Sequence, residues 1–270
     1  MKLVSVTLTI LAAITTLTAC SSDSQRGSTS RSPEAADLFQ KKSIARVGLT
    51  KKLALTFDDG PTKQVTEALL NYLREEGIKA TFFVNGVHVP GQEATMQKMM
   101  DHGHVIANHT QHHTHLPRAV VNSGWSKVKS EIALTNDAIA PYRQPGGRLY
   151  FRAPHGAWQA GFADRLNEDT VLREYIGPMF WDIGGEISRA ADGSLATAAD
   201  WDCWGKGLSV NECARGYAVE TDRRNGGIVL MHDVKMGTVE MMKKLVPEWR
   251  RKGYEFVTLD EVESLDQYTE

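Results

Sequence analysis

The chain has 270 residues, 41% of them hydrophobic and 24% charged, which suits one sizeable globular domain and excludes a fibrous or wholly disordered polymer. Its formal net charge of −2 and the lack of any long Lys/Arg run remove the electrostatic footprint of a nucleic-acid binder, so no nucleic-acid partner is expected.

The opening stretch, MKLVSVTLTILAAITTLTAC, starts with Lys2, continues as an apolar run and ends in small residues before Cys20, the pattern of an export signal. It is too short for a membrane-spanning helix. Its end, "LTAC", resembles the lipobox of bacterial lipoproteins. That resemblance implies a signal peptide over residues 1–19, acylation of Cys20 and anchoring in the cell envelope, on the periplasmic side of the outer membrane in a Gram-negative cell. A soluble exported protein with an incidental cysteine is the alternative. The polar, Ser-rich stretch after Cys20 has no apolar periodicity, so residues 20–46 read as a flexible tether and the folded domain as 47–270.

From residue 53 short apolar runs alternate with helical patterns. LALTF reads as a strand, and QVTEALLNYLREEG reads as a helix with Val65, Ala68, Leu69, Tyr72 and Leu73 on one face, closed by Gly77. KATFFV is the next strand, followed by a Met-rich helix at 93–102, strand HVIAN, a helix at 126–140, strand LYFR and a helix at 161–168. Strands PMFWD, GIVLM and YEFVTL follow, with helical patterns before the last two. Such alternation predicts an α/β fold, a parallel sheet or (β/α) barrel of about seven strands. Only Cys203 and Cys213 remain beyond Cys20, and the pair is either bridged in an oxidising compartment or left as two buried thiols.

Polar clusters recur where these strands end, as in barrels that carry their chemistry on loops at the carboxyl ends of strands. Asp58 and Asp59 follow the first strand, His109–His115 follow HVIAN, Arg152 closes LYFR, Asp182 closes PMFW, and His232 with Asp233 closes GIVLM. His109 and His113 can aim two imidazoles at one ion, and a carboxylate from the first loop completes a three-ligand site with open positions. Two histidines and one carboxylate also describe non-haem iron oxygenases, which have no need of the remaining polar residues.

"TFDDGP", "HTQHH", "FRAPHG" and "IVLMHD", in this order and at strand ends, resemble the ordered motifs of the polysaccharide deacetylases, the NodB-homology carbohydrate esterases. The resemblance spans residues 50–262 and implies a distorted (β/α) barrel. Carried over residue by residue, it makes Asp58 the general base and Asp59, His109 and His113 the ligands of one divalent metal ion, zinc first, with cobalt and nickel as alternatives. It makes Arg152 the residue that orients Asp58, which a guanidinium can do by gripping a carboxylate in two places. It gives His232 the role of general acid. The family commonly has a tyrosine where this chain has His155, whose backbone N–H would help hold the developing oxyanion.

The fourth motif departs most. The family's short Asp-x-x-Asp-Trp stretch is replaced by WDIGGEISRAADGSLATAADWDCWG, and Asp200-Trp201 is the matching pair, with Asp182 the competitor. Asp200 would orient and charge His232, while Trp201 and Leu230 would wall the acetyl pocket. Trp158 and Trp204 could stack on sugars, but core packing is the more ordinary role. Asp233 reads as a loop cap, and His88, His102, His104, His112 and His115 stay unassigned.

The resemblance therefore implies a monomeric, metal-dependent N-deacetylase acting on an acetylated envelope glycan, peptidoglycan GlcNAc first and chitin oligomers second. Acetylxylan O-deacetylation is an alternative, and an inactive lipid-anchored glycan-binding protein is a third reading.

Overall fold

The computed structural model describes residues 37–268. The export signal, Cys20 and most of the expected tether lie outside the described residues. In chain order the elements are β1 (Phe39–Ile44), β2 (Lys52–Asp58), α1 (Lys63–Glu75), β3 (Thr81–Val84), α2 (Glu93–Asp101), β4 (Val105–Asn108), α3 (Leu116–Ser123) and α4 (Trp125–Ile139). Then come β5 (Leu149–Tyr150), α5 (Ala160–Asn167), β6 (Tyr175–Met179), a hairpin of β7 (Ser188–Arg189) and β8 (Leu195–Thr197), α6 (Asp200–Gly205) and α7 (Val210–Arg224). β9 (Gly227–His232), α8 (Met236–Arg251) and β10 (Glu255–Val257) complete the order.

β2 is buried from Leu53 to Asp58 without alternation, as expected of an interior parallel strand covered on both faces. It pairs in parallel with β9 along one edge, and with β10 and then β3 along the other. β4 continues from β3, and a separate parallel sheet runs β1-β6-β5. Two isolated parallel bridges, Asn108 with Phe151 and Ile183 with Val229, link the two sheets into a distorted (β/α) barrel rather than one continuous ladder. α1 packs Leu69, Leu70 and Leu73 into the core, and the chain leaves it through Gly77 at φ +64°, a left-handed turn glycine adopts without strain.

Two expectations change, and one left open is decided. Among the described residues the first strand begins at Phe39, inside the stretch read as tether, rather than after Val47. Phe39 is buried, stacks on Trp158 with ring centroids 5.8 Å apart, and meets Phe151 edge-on at 5.5 Å. Trp158 is therefore a packing residue, its indole N–H donating to the Gln40 carbonyl at 3.1 Å. The strand expected at PMFWD lies earlier, at Tyr175–Met179. This removes Asp182 from the mouth of the barrel: its carboxylate accepts the backbone N–H groups of Ile228 (2.9 Å), near the start of β9, and Arg46 (3.0 Å). Cys203 and Cys213 are joined by a disulfide with Cα atoms 6.0 Å apart, tying α6 to α7.

Because Phe39 fills a closed aromatic cluster, Phe39→Ala is expected to lower unfolding free energy by about 3–5 kcal/mol. Urea denaturation of residues 37–270 checks this, and a loss below about 1 kcal/mol would show β1 to be dispensable.

Candidate active site

β2 and β9 end side by side, with Asp58 in register with His232. Where β2 stops, the backbone turns into a left-handed conformation at Asp59 (φ +76°), so the two adjacent carboxylates leave the strand in different directions. Gly60 follows because nothing larger fits: a Cβ there would lie 2.1 Å from Asp233 Oδ2. Asp233 is buried, accepts the Thr66 hydroxyl at 2.5 Å and takes the Thr62 hydroxyl on its carbonyl at 2.6 Å. It therefore clamps the Asp59–Thr62 turn onto α1, a fuller role than the expected loop cap.

Asp58 Oδ1 accepts a 2.7 Å hydrogen bond from Arg152 Nη1. The expected two-point grip is not what forms. Nη1 is shared with Thr56 Oγ1 at 2.8 Å, Nη2 donates to the Phe180 carbonyl at 3.1 Å and Nε donates to that of Met179 at 3.3 Å. Both Asp58 and Arg152 are buried, and burial raises the Asp58 carboxyl above its usual range, although Arg152 and then His232 oppose the shift. Asp58 is thus fixed in place yet readier than an ordinary aspartate to accept a proton.

His109 Nδ1 faces the Arg152 carbonyl at 2.9 Å, which sets Nδ1 as the donor and turns Nε2, as acceptor, into the site. Burial holds this imidazole neutral, its pKa lowered to about 3 despite the charge of Asp59. Asp59 Oδ1 lies 3.5 Å from His109 Nε2 and 3.3 Å from His113 Nε2. That oxygen is buried and has no hydrogen-bond partner. An orphaned carboxylate oxygen and a neutral, oriented imidazole, joined by His113 with the three ligand atoms within 4.8 Å of one another, fit a divalent cation. Asp59 and His113 are part exposed, which leaves an open side toward the cleft.

On the opposite wall, His232 Nδ1 pairs with Asp200 Oδ1 at 2.8 Å, while the His232 backbone N–H donates to Asp200 Oδ2 at 2.8 Å. Of the two candidates for this partner, Asp200 makes the contact and Asp182 does not. Burial disfavours the imidazolium, but Asp200 overrides it, with Asp58 and Asp59 adding to the effect, and His232 is pushed up to about 9. Asp200 is itself held by the Thr238 hydroxyl at 2.8 Å and the Trp201 N–H at 2.8 Å. Thr238 accepts the Trp204 indole N–H at 3.1 Å, so Trp204 supports the dyad as well as lining the cleft.

The cleft between these walls encloses about 800 Å³. Asp58, Asp59, His109, His113, Asp200 and His232 all line it, together with Trp181, Trp201, Trp204 and Leu230. Trp201 is 54% exposed, an aromatic face open to ligand. His155 sits at the rim in a left-handed conformation (φ 59°), its ring edge-on to that of His113 at 4.4 Å. The unassigned histidines disperse. His88 Nδ1 meets the Asp59 carbonyl at 2.8 Å, His112 bonds Glu131, His115 caps α3, and His102 and His104 lie against each other before β4. Thr56, Thr238 and Glu131 are functional contacts that the sequence reading passed over, and none carries a local signal.

Since His113 would supply one of the three candidate ligand atoms found among the described residues, His113→Ala is expected to weaken zinc binding by more than about 100-fold, beyond the usual cost of losing an outer-shell partner. Competition with a chromophoric chelator measures it, with His102→Ala expected to bind as the unaltered chain does.

A family model described as polysaccharide deacetylase matches residues 46–171. The peptidoglycan-N-acetylglucosamine deacetylase of Listeria monocytogenes serotype 1/2a (strain 10403S) is 28% identical over 223 residues, covering 81% of this chain and 40% of that protein. The chain thus spans well under half the length of that relative. The chitooligosaccharide deacetylase of Rhizobium leguminosarum bv. phaseoli is 32% identical over 182 residues, 67% of each chain. Among solved structures, a peptidoglycan N-acetylglucosamine deacetylase in complex with a naphthalenyl N-oxidanyl-benzamide matches with a TM-score of 0.62 at 22% identity, over 83% of this chain and 92% of that one, a likeness of fold. With the motif residues gathered in one cleft at the strand ends, these similarities show that the chain belongs to the polysaccharide deacetylase family.

Proposed function

We propose that the chain is a divalent-metal-dependent hydrolase that removes N-acetyl groups from GlcNAc units of an envelope glycan, peptidoglycan first and chitin oligomers second. The observation that carries this reading is the placement of Asp58 and the Asp200–His232 dyad in one cleft with the Asp59, His109 and His113 trio. These carry opposite tendencies: a carboxylate raised toward proton acceptance, and an imidazole held charged.

Asp59, His109 and His113 would hold the ion, zinc in the first instance. When bound, it supplies Lewis-acid polarisation of the acetyl carbonyl and makes a water more acidic. Asp58 Oδ2, the oxygen not engaged by Arg152, accepts the proton of the attacking water. The His155 backbone N–H stabilises the developing oxyanion. His232 delivers its proton from Nε2 to the departing amine, because Nδ1 is committed to Asp200. The products are acetate and a glucosamine unit. Trp201 and Leu230 wall the acetyl group, and the exposed indole offers a stacking face to the sugar. The same reading has the chain exported and held at the membrane by acylated Cys20, supported by the LTAC sequence.

Incubation of the purified protein with peptidoglycan, chitin oligomers and acetylxylan in parallel, with acetate measured from each, tests the reading. Acetate from the GlcNAc glycans, lost in Asp58→Asn, is expected. Acetate from acetylxylan alone, or from none, would overturn it.

The dyad also sets a pH dependence. A general acid with a raised pKa is protonated below that pKa, so the rate should fall as pH rises through the His232 titration. Asp200→Asn removes the charge that raises it. The alkaline limb should then move to lower pH and turnover should drop by ~10²-fold or more. Asp182→Asn, which alters a carboxylate at the other end of β9, should leave the limb in place.

A further inference from the structure

The two histidines of the trio are held in different ways. His109 is fixed through its side chain, Nδ1 being tied to the Arg152 carbonyl at 2.9 Å. His113 has no such tether: among the described residues its ring meets only Asp59 Oδ1, at 3.3 Å, and neighbouring imidazoles. The place of Nε2 is therefore set by the backbone of the turn after β4. That backbone is strained, with Thr110 at φ 68° and His113 at φ 53°, left-handed conformations that a non-glycine residue keeps only where the surroundings enforce them.

The turn is held from two sides: Asn85 Nδ2 donates to the His109 and Thr110 carbonyls at 2.7 and 3.3 Å at its start, and α4 holds the part that carries His112. Glu131 is fully buried, and its carboxylate spans the turn: Oε2 accepts the His112 backbone N–H at 2.8 Å and Oε1 accepts His112 Nδ1 at 2.9 Å. Lys127 Nζ, one helical turn back, meets Oε1 at 2.5 Å and balances the charge. The Glu131 carbonyl accepts the Gln111 N–H at 2.8 Å. One residue further, the Ile132 carbonyl takes Asn108 Nδ2 at 2.8 Å, so the same helix holds the strand end that precedes the loop.

We propose that Glu131 is the positioning residue of the ligand loop, setting affinity for the divalent ion by holding His112, and with it His113, in the strained turn that aims Nε2 at Asp59. Glu131 does for His113, through the backbone, what the Arg152 carbonyl does for His109 through the ring. The proposal rests on the metal-dependent reading given above.

Zinc titration of the full chain against a chromophoric chelator separates the two. If the unaltered protein takes up no zinc, the metal reading itself fails. If it binds, Glu131→Gln is expected to keep its circular dichroism and cooperative unfolding while binding zinc about 10–100-fold more weakly, the range for loss of an outer-shell partner. Its acetate release should return toward the unaltered rate in excess zinc, a rescue that a general loss of structure would not give. Zinc affinity within about 2-fold of the unaltered chain in folded Glu131→Gln overturns the proposal. Should that variant not fold, His112→Ala, which alters a half-exposed side chain and removes only the Nδ1 contact, decides the matter: weaker binding with zinc rescue supports the role, and unchanged affinity refutes it.

Discussion

The Asp58 and His109 wall of the site leans on one buried cation. The Arg152 guanidinium is sealed from solvent and spends its donors on Thr56 and Asp58 of β2 and on the two carbonyls that end β6, while its own carbonyl orients His109 after β4. A single residue at the end of β5 thus fixes the relative positions of three neighbouring strand ends. A charge so buried is tolerable only because each contact compensates its desolvation, and removing a partner from such a pair typically costs about 3–5 kcal/mol. The face of the Phe83 ring, 4.1 Å from the guanidinium carbon, adds to the cradle.

The neighbouring carboxylates Asp58 and Asp59 show how a backbone angle divides labour. On a continued strand they would face opposite sides of the sheet; the left-handed turn at Asp59 keeps both at the mouth but in unlike surroundings. Asp58 stays within the buried network, and Asp59 reaches the histidines. The turn is enforced from beneath by Asp233, whose carboxyl burial pushes up to about 7, packed where a side chain at position 60 would otherwise lie. Chemistry at the surface of the cleft is held by polar groups buried below it.

Much of this was legible in the chain. The four motifs are short, local and placed where apolar runs stop, so Asp58, Asp59, His109, His113, Arg152 and His232 could be named before any geometry was known. What stayed hidden depends on distant partners. Thr56 reads as one more residue of a buried strand until Arg152 arrives beside it, and Glu131 reads as an ordinary charge on an amphipathic helix. β1 was missed because FQKKSI has apolar residues only at its ends, and its burial comes from α5 and β6. The strand YIGPM was misplaced because Gly177 and Pro178 argue against a central strand. Gly177 is there because a Cβ would lie 2.7 Å from the Phe151 carbonyl. Asp182 looked like a mouth residue through that same shift of register.

The segment before Asp200 is held at both of its ends. The chain is anchored where Ile183 pairs with Val229 and Gly184 donates to Glu220, and it is anchored again where Asp200 grips His232 and the disulfide pins α6 to α7. Between these fixed points the β7–β8 hairpin forms its own two-stranded sheet. On one side the hairpin is sewn into the core, with Leu195, Thr197 and Ala198 buried and the latter two close against Gly216 of α7, while its tip at residues 189–193 is exposed. Changes confined to the exposed residues 189–193 therefore leave the Asp200–His232 contact and the core face of β8 in place, whereas changes at Leu195, Thr197 or Ala198 reach the packing from which Asp200 emerges.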